Sequence, residues 1–84
     1  MAKVTIYTTP ICPYCQMAKQ LLKRKGAACD EIDVMGNPGM RVEMQAKSGR
    51  STVPQIWIGE RHIGGCDDLY ELDTAGGLDP LLAA

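Results

Sequence analysis

Residues 3–26 of the chain read KVTIYTTPICPYCQMAKQLLKRKG, and the prediction of the fold works outward from them. Residues 3–8 are rich in β-branched side chains and partly alternate in polarity, which is typical of a strand with a buried face. Pro13 suits the first turn of a helix, where its missing N–H costs nothing. Apolar side chains then recur at helical spacing up to Gly26, namely Met17, Ala18, Leu21 and Leu22. The stretch therefore predicts a strand that runs almost directly into a helix.

The next segment repeats the alternation of strand and helix. Residues 28–34 form a second predicted strand, and a strand–helix–strand unit this compact implies parallel strands with a right-handed crossover. Asn37 and Pro38 provide a cap and a first helical position, and Gly49 ends the second predicted helix. Met40 and Met44 supply its weak apolar stripe.

The last third of the chain predicts a hairpin and a third helix. Residues 53–58 and 61–63 are joined by Gly59-Glu60, which fits a two-residue turn. A helix opens at Cys66 and ends at Gly76-Gly77, and residues 79–82 add a short turn. The resulting order is β-α-β-α-β-β-α. We therefore predict an α/β fold with one four-stranded mixed sheet flanked by three helices.

Composition narrows the class of protein. The chain has 84 residues, so we expect residues 1–84 to form one domain. The formal net charge is −1, which argues against a nucleic-acid partner. No apolar run approaches the length of a membrane span, and Lys3 is followed by an alternating segment rather than the apolar stretch of a signal peptide. We expect a cytoplasmic protein without a membrane partner.

Two of the four cysteines form a Cys-x-x-Cys motif. Cys12 and Cys15 lie where the first strand meets the first helix, whereas Cys29 and Cys66 stand alone. In a cytosolic chain this motif beside a strand–helix–strand pattern indicates redox chemistry. The alternative is half of a zinc site, but the remaining ligands would have to come from two isolated cysteines and His62. We therefore expect no metal site.

The position of the motif at a helix start gives its chemistry a physical basis. The N-terminus of a helix carries partial positive charge and free N–H groups, which would stabilise a thiolate at Cys12. Because the thiolate is the nucleophile, Cys12 is the predicted attacking residue. Cys15 lies one turn further on the same face, where it can resolve a mixed disulfide on Cys12.

Two further segments indicate a binding site. Pro54, in Thr52-Val53-Pro54, is a candidate cis-proline that would leave the Val53 backbone groups free to pair with an extended peptide. Taken alone, it is more typical of an ordinary edge-strand proline. Residues 64–68, GGCDD, place two glycines before a helix whose N–H groups could hold a carboxylate. Taken alone, they are more typical of a plain turn with an Asp cap.

In this order, the segments resemble those of the short dithiol glutaredoxins of bacteria. The resemblance covers essentially the whole chain and rests on four stretches, residues 6–8 (IYT), 12–15 (CPYC), 52–56 (TVPQI) and 62–69 (HIGGCDDL). It implies a thioredoxin fold, no tightly bound cofactor and glutathione as co-substrate. It further implies that disulfide-containing or glutathionylated proteins, such as ribonucleotide reductase, are the partners, and that the protein is a monomer.

The resemblance also implies roles for individual residues. Cys12 would accept glutathione as a mixed disulfide, and Cys15 would act when protein disulfides are reduced. The other implied roles are all in glutathione binding: Thr52 and Val53, before a cis-Pro54, at the cysteinyl part; Gly65, Cys66 and Asp67 at the γ-glutamyl end; Tyr14 along the groove; and Arg41, with Arg50 as a second candidate, at the glycine carboxylate.

One departure from the family keeps alternatives open. Thr9 stands where many glutaredoxins have a lysine, so a cation that would favour the Cys12 thiolate is missing. A glutaredoxin-like donor served by thioredoxin reductase is the second hypothesis. An iron–sulfur carrier is the third, which Pro13 and Cys15 disfavour. We expect His62 to be a surface residue, and Met17 to belong to the core.

Overall fold

The structure is a computed structural model that describes residues 2–84. This part of the chain forms four strands and four helices, in the order β1 (Val4–Thr8), α1 (Pro13–Arg24), β2 (Cys29–Asp33), α2 (Pro38–Ser48), β3 (Gln55–Ile58), β4 (Arg61–Gly64), α3 (Cys66–Thr74) and α4 (Leu78–Ala83). None of these helices is long and apolar enough to cross a membrane.

The four strands form one mixed sheet in the order β2-β1-β3-β4. β1 and β2 pair in parallel, while β1 with β3 and β3 with β4 pair antiparallel. The predicted fold class is therefore confirmed, including the parallel crossover through α1 and the hairpin around Gly59-Glu60. The pairing of β3 with β4 shifts its register between Ile56 and Trp57.

Alternation along the central strands gives the sheet two buried faces. Ile6 and Ile56 lie opposite each other in the register and pack with side chains of α1, α3 and α4. Tyr7 and Trp57 lie on the other face, in a cluster with Met44 of α2. Packing on both faces fixes the positions of β1 and β3. The segment with Cys12 follows the end of β1, and the segment with Pro54 leads into the start of β3.

Two expectations about the core are wrong in detail. The last residues form helix α4 rather than a turn, since Leu78 and Leu82 are buried in the core and the Leu82 carbonyl accepts a hydrogen bond from the Ala2 N–H at 3.0 Å. Met17 is 44% exposed, because α1 buries the face that carries Ala18, Leu21 and Leu22. The side chain of Met17 instead lies at the surface, one turn from Tyr14.

Candidate active site

Cys12 caps the N-terminus of α1. Its backbone is extended, Pro13 follows at the first helical position, and its Sγ accepts a hydrogen bond from the Cys15 N–H at 3.1 Å. The thiol of Cys12 also donates to the Val53 carbonyl oxygen, 3.7 Å away. The sulfur thus lies at the positive end of the helix with an N–H aimed at it, a geometry that suits an attacking nucleophile.

Cys15 is more deeply buried than Cys12, and its thiol is a weak acid. Its side chain is fully buried, whereas Cys12 is partly exposed. Burial first, and then the hydrogen bond with the Cys12 side chain and the charge of Cys12, together raise the pKa of Cys15 to about 12. Cys15 is therefore a protonated thiol at neutral pH, one helical turn behind Cys12.

A groove of about 190 Å³ lies beside the Cys-x-x-Cys motif. Its walls bring together three separate parts of the chain, the start of α1, the loop before β3 and the start of α3. The lining residues are Tyr14, Arg50, Thr52, Val53, Pro54, Gly65, Cys66, Asp67 and Asp68. Seven of the eight residues to which the sequence assigned glutathione binding are thus on one surface, and Arg41 is the exception.

The Val53–Pro54 peptide bond is cis, as the resemblance implied. The Val53 carbonyl faces Cys12, as described above. The Val53 N–H has no hydrogen-bond partner among residues 2–84. A free backbone donor therefore lies next to the reactive sulfur, at the wall of the groove.

The segment that leads into α3 is held by Asp68. Its Oδ2 accepts hydrogen bonds from the Gly65 N–H and from Nη1 of Arg50, both at 2.9 Å. These contacts, with the Gly65 N–H as the larger cause, hold the pKa of the Asp68 carboxyl below its ordinary value. Cys66 is buried at the start of α3, and burial followed by the charge of Asp67 raises the pKa of its thiol.

The two candidate arginines have different partners. Nη1 of Arg41 donates to the Ser51 carbonyl oxygen at 3.2 Å, and Arg41 does not line the groove. Arg50 lines the groove and forms an ion pair with Asp68. The structure therefore places the second of the two candidates, Arg50, at the groove.

Sequence reasoning underestimated three polar residues near the groove. Asp68 is the N3 residue of α3, and the spacing Gly65-x-x-Asp68 matches a capping pattern that could have identified it. Gln55 is a fully buried amide that stands first in an otherwise apolar strand. His62 was expected at the surface, but it is partly buried and its Nε2 lies 2.8 Å from Gln55 Oε1.

The site and the sheet together define a class of protein. A partly exposed cysteine at a helix N-terminus, with a buried cysteine one turn behind it and a groove beside it, is the arrangement of a thiol–disulfide oxidoreductase. No group of three or more histidine, cysteine, aspartate or glutamate side chains that could hold a metal occurs within residues 2–84.

Comparison with known proteins identifies the family. The glutaredoxin family model matches residues 4–63. The chain is 60% identical to a glutaredoxin of Pseudomonas aeruginosa over all 84 residues of both proteins. It is also 60% identical to glutaredoxin 3 of Escherichia coli over 82 residues, which cover 98% of this chain and 99% of that protein. A crystal structure of a buckwheat glutaredoxin–glutathione complex superposes with a TM-score of 0.91 at 29% identity, covering 98% of this chain and 77% of that one.

The chain therefore belongs to the glutaredoxin family. Its activity is the activity of that family, glutathione-dependent thiol–disulfide exchange.

Proposed function

We propose that this protein reduces glutathione mixed disulfides through Cys12 alone and protein disulfides through Cys12 and Cys15 together. The observation that carries the proposal is the contrast between the two sulfurs. Cys12 is partly exposed, its Sγ accepts a helix N–H and its thiol contacts the carbonyl of Val53 in the groove wall, whereas Cys15 is buried and its pKa is about 12. The sulfur of Cys12 is thus placed to attack the substrate, and the sulfur of Cys15 is placed to resolve the mixed disulfide afterwards.

In the reaction with a glutathione mixed disulfide, the Cys12 thiolate attacks the glutathione sulfur. A Cys12–glutathione disulfide forms, and the protein thiolate leaves. The thiolate of a second glutathione then attacks the glutathione sulfur of that disulfide, which releases oxidised glutathione and restores the Cys12 thiolate. The balance is one free glutathione consumed, one protein thiol released and one oxidised glutathione formed, and Cys15 takes no part.

In the reaction with a protein disulfide, the Cys12 thiolate attacks one sulfur and the other leaves as a thiolate. Cys15 then loses its proton to solvent and attacks Cys12 Sγ, which releases the second substrate thiol and leaves a Cys12–Cys15 disulfide. Two glutathione molecules reduce this disulfide in turn. The i, i+3 spacing on one helix face supports the ring closure.

The groove is the proposed glutathione site. The backbone of Val53 would pair with the cysteinyl part, next to Thr52 and the cis-Pro54. At the start of α3 the Gly65 N–H is occupied by Asp68, so we assign the γ-glutamyl carboxylate to the N–H groups of Cys66 and Asp67, which are free at a helix start. Arg50 is the proposed partner of the glycine carboxylate in place of Arg41, and Tyr14 forms one wall.

The cellular setting is part of the same proposal. A dithiol that is returned to its reduced state by glutathione works in a reducing compartment, so we propose the cytoplasm. We propose that it acts as a monomer without a tightly bound cofactor. Glutathionylated proteins and disulfide-containing enzymes such as ribonucleotide reductase are the proposed protein substrates, and we propose that residues 1–84 form a single glutaredoxin domain.

The test compares Cys12→Ser with a matched cysteine variant, Cys29→Ser, in turnover of a glutathionylated peptide with glutathione and glutathione reductase. Cys29 is a free, partly exposed cysteine on β2. We expect Cys12→Ser to abolish turnover and Cys29→Ser to retain it. Retained turnover in Cys12→Ser would refute the assignment.

Two further measurements test the alternative functions. Turnover with thioredoxin reductase in place of glutathione would support the second hypothesis, and visible absorbance of an anaerobically purified dimer would indicate the iron–sulfur carrier.

A further inference from the structure

Gln55 connects Thr52 and His62, which share no hydrogen bond with each other within residues 2–84. Its side chain is fully buried at the start of β3. Its Nε2 donates to the Thr52 carbonyl oxygen at 3.0 Å and lies 3.3 Å from Thr52 Oγ1, and its Oε1 lies 2.8 Å from His62 Nε2. The amide therefore bridges β4 and the loop that forms one wall of the groove.

The direction of each hydrogen bond follows from what each atom can do. The Thr52 carbonyl oxygen can only accept, so the amide group that faces it must be the NH2 of Gln55. The Oε1 of Gln55 then faces His62, and His62 Nε2 must carry a hydrogen to donate to it. His62 thereby fixes which way the Gln55 amide points.

The Thr52 carbonyl and the Val53 N–H belong to one planar trans peptide group, because only the next bond, Val53–Pro54, is cis. In a trans peptide the C=O and the N–H point in opposite directions, so holding the carbonyl on one side aims the N–H to the other. The Val53 N–H is the donor that has no partner within residues 2–84. Gln55 therefore controls the orientation of a free donor that it does not touch.

We propose that His62 and Gln55 are positioning residues that aim the Val53 N–H at the bound substrate. The inference rests on the proposed function, since it concerns the backbone that we assign to the cysteinyl part of glutathione. It adds two residues, neither of which touches the substrate, that determine how well that backbone donor is oriented.

The surroundings of His62 suit this role. Its ring packs against Trp57 with centroids 4.7 Å apart, and Trp57 makes an edge contact with Tyr7 at 5.3 Å. Burial, followed by the charge of Arg50, lowers the pKa of His62, and the charge of Asp68 opposes that effect. His62 is therefore neutral at pH 7, with its single N–H committed to Gln55.

The test uses a pair of variants at His62 in the full-length protein. His62→Phe keeps a ring against Trp57 but removes the donor, whereas His62→Gln keeps an N–H donor near the position of Nε2. We expect His62→Phe to raise the KM for a glutathionylated peptide roughly three- to tenfold, the effect of one lost hydrogen bond on donor placement, with kcat unchanged. The same variant should not change the rate of Cys12 alkylation by iodoacetamide. His62→Gln should restore the wild-type KM.

Three results would overturn the inference. One is a His62→Phe variant with the wild-type KM, and another is an equal rise of KM in His62→Phe and His62→Gln, which would assign the effect to the ring. The third needs no variant: nitrogen chemical shifts of wild-type His62 that report Nδ1–H as the neutral tautomer. This measurement decides the matter even if His62→Phe does not fold. If the wild-type protein does not turn over the glutathionylated peptide, the proposed function itself is refuted. The assay of the wild-type protein alone separates that outcome from the three results above.

Discussion

Replacing Cys15 by serine should separate the two activities. The variant keeps a small side chain in the buried position behind Cys12 but removes the thiol that we propose resolves a mixed disulfide on Cys12. A glutathione molecule from solution can resolve the Cys12–glutathione disulfide without a thiol at position 15, so the variant keeps a complete route for this substrate. We therefore expect that reaction to proceed at the wild-type rate.

The expected loss in the other reaction can be worked out from the acidity of Cys15. With the pKa of about 12 that holds while Cys12 is free, about one Cys15 in 10⁵ is a thiolate at pH 7, and this fraction is a lower limit for the mixed disulfide. A well-oriented group acts at an effective concentration of about 10⁵ M, which leaves about 1 M of resolving thiolate. Free glutathione at about 1 mM, with an ordinary thiol pKa, supplies only about 3 × 10⁻⁵ M thiolate. The intramolecular route is therefore favoured by about 10⁴ in rate.

The assay measures the reduction of a protein disulfide and of a glutathionylated peptide side by side, with glutathione and its reductase. We expect Cys15→Ser to lose at least about a hundredfold in the first and nothing in the second, since steps other than resolution limit part of the overall rate. Cys29→Ser serves as the matched cysteine control, and thermal unfolding confirms that the variants are folded. Equal losses in both reactions, or a loss of less than about tenfold in the first, would refute the reasoning.

Two further predictions concern the segment around α3. Gly64 has φ +118°, and a Cβ there would lie 2.8 Å from Asp68 Cγ, so Gly64→Ala should destabilise the protein by at least about 2 kcal/mol in urea unfolding. Gly26→Ala is its control, because Gly26 also has positive φ but open space, and should cost about 1 kcal/mol; equal costs would show that the contact with Asp68 is unimportant. Asp68→Ala removes the acceptor of the Gly65 N–H and should cost roughly 1 kcal/mol at pH 7. Because the Asp68 pKa is lowered, its stabilisation is present above the ordinary value of 3.8 and is lost as the pH falls through the lowered pKa, so the difference between wild type and variant should shrink in acid. A constant difference across that range would contradict the assignment.

The order of elements could be predicted because each element carries its own boundary signals. Pro13 and Pro38 start helices α1 and α2, and Gly49 ends α2 with φ +72°. Helix α4 was missed for a physical reason. A segment of six residues has too few turns to show a helical period, and its stability comes from burying Leu78 and Leu82 in the core.

The residues of the groove could be predicted only as far as short motifs contain them. Val53, Pro54, Gly65 and Asp67 lie in such motifs, and the fold brings them together. The choice between Arg41 and Arg50 depends on the course of the loop after α2, which no local pattern encodes. Gln55 and His62 were missed because the burial of a polar side chain depends on the partner it finds on the neighbouring strand.

The acidity of Cys15 is coupled to the state of Cys12, and this coupling orders the dithiol reaction. Two of the influences that raise the Cys15 pKa, the hydrogen bond with the Cys12 side chain and the charge of Cys12, depend on a free Cys12. Both are lost when Cys12 becomes part of a mixed disulfide, whereas the opposing influence of the Lys19 charge remains. The pKa of Cys15 therefore falls at the step that needs its thiolate. Before that step, the raised pKa keeps Cys15 from competing with Cys12 for the substrate.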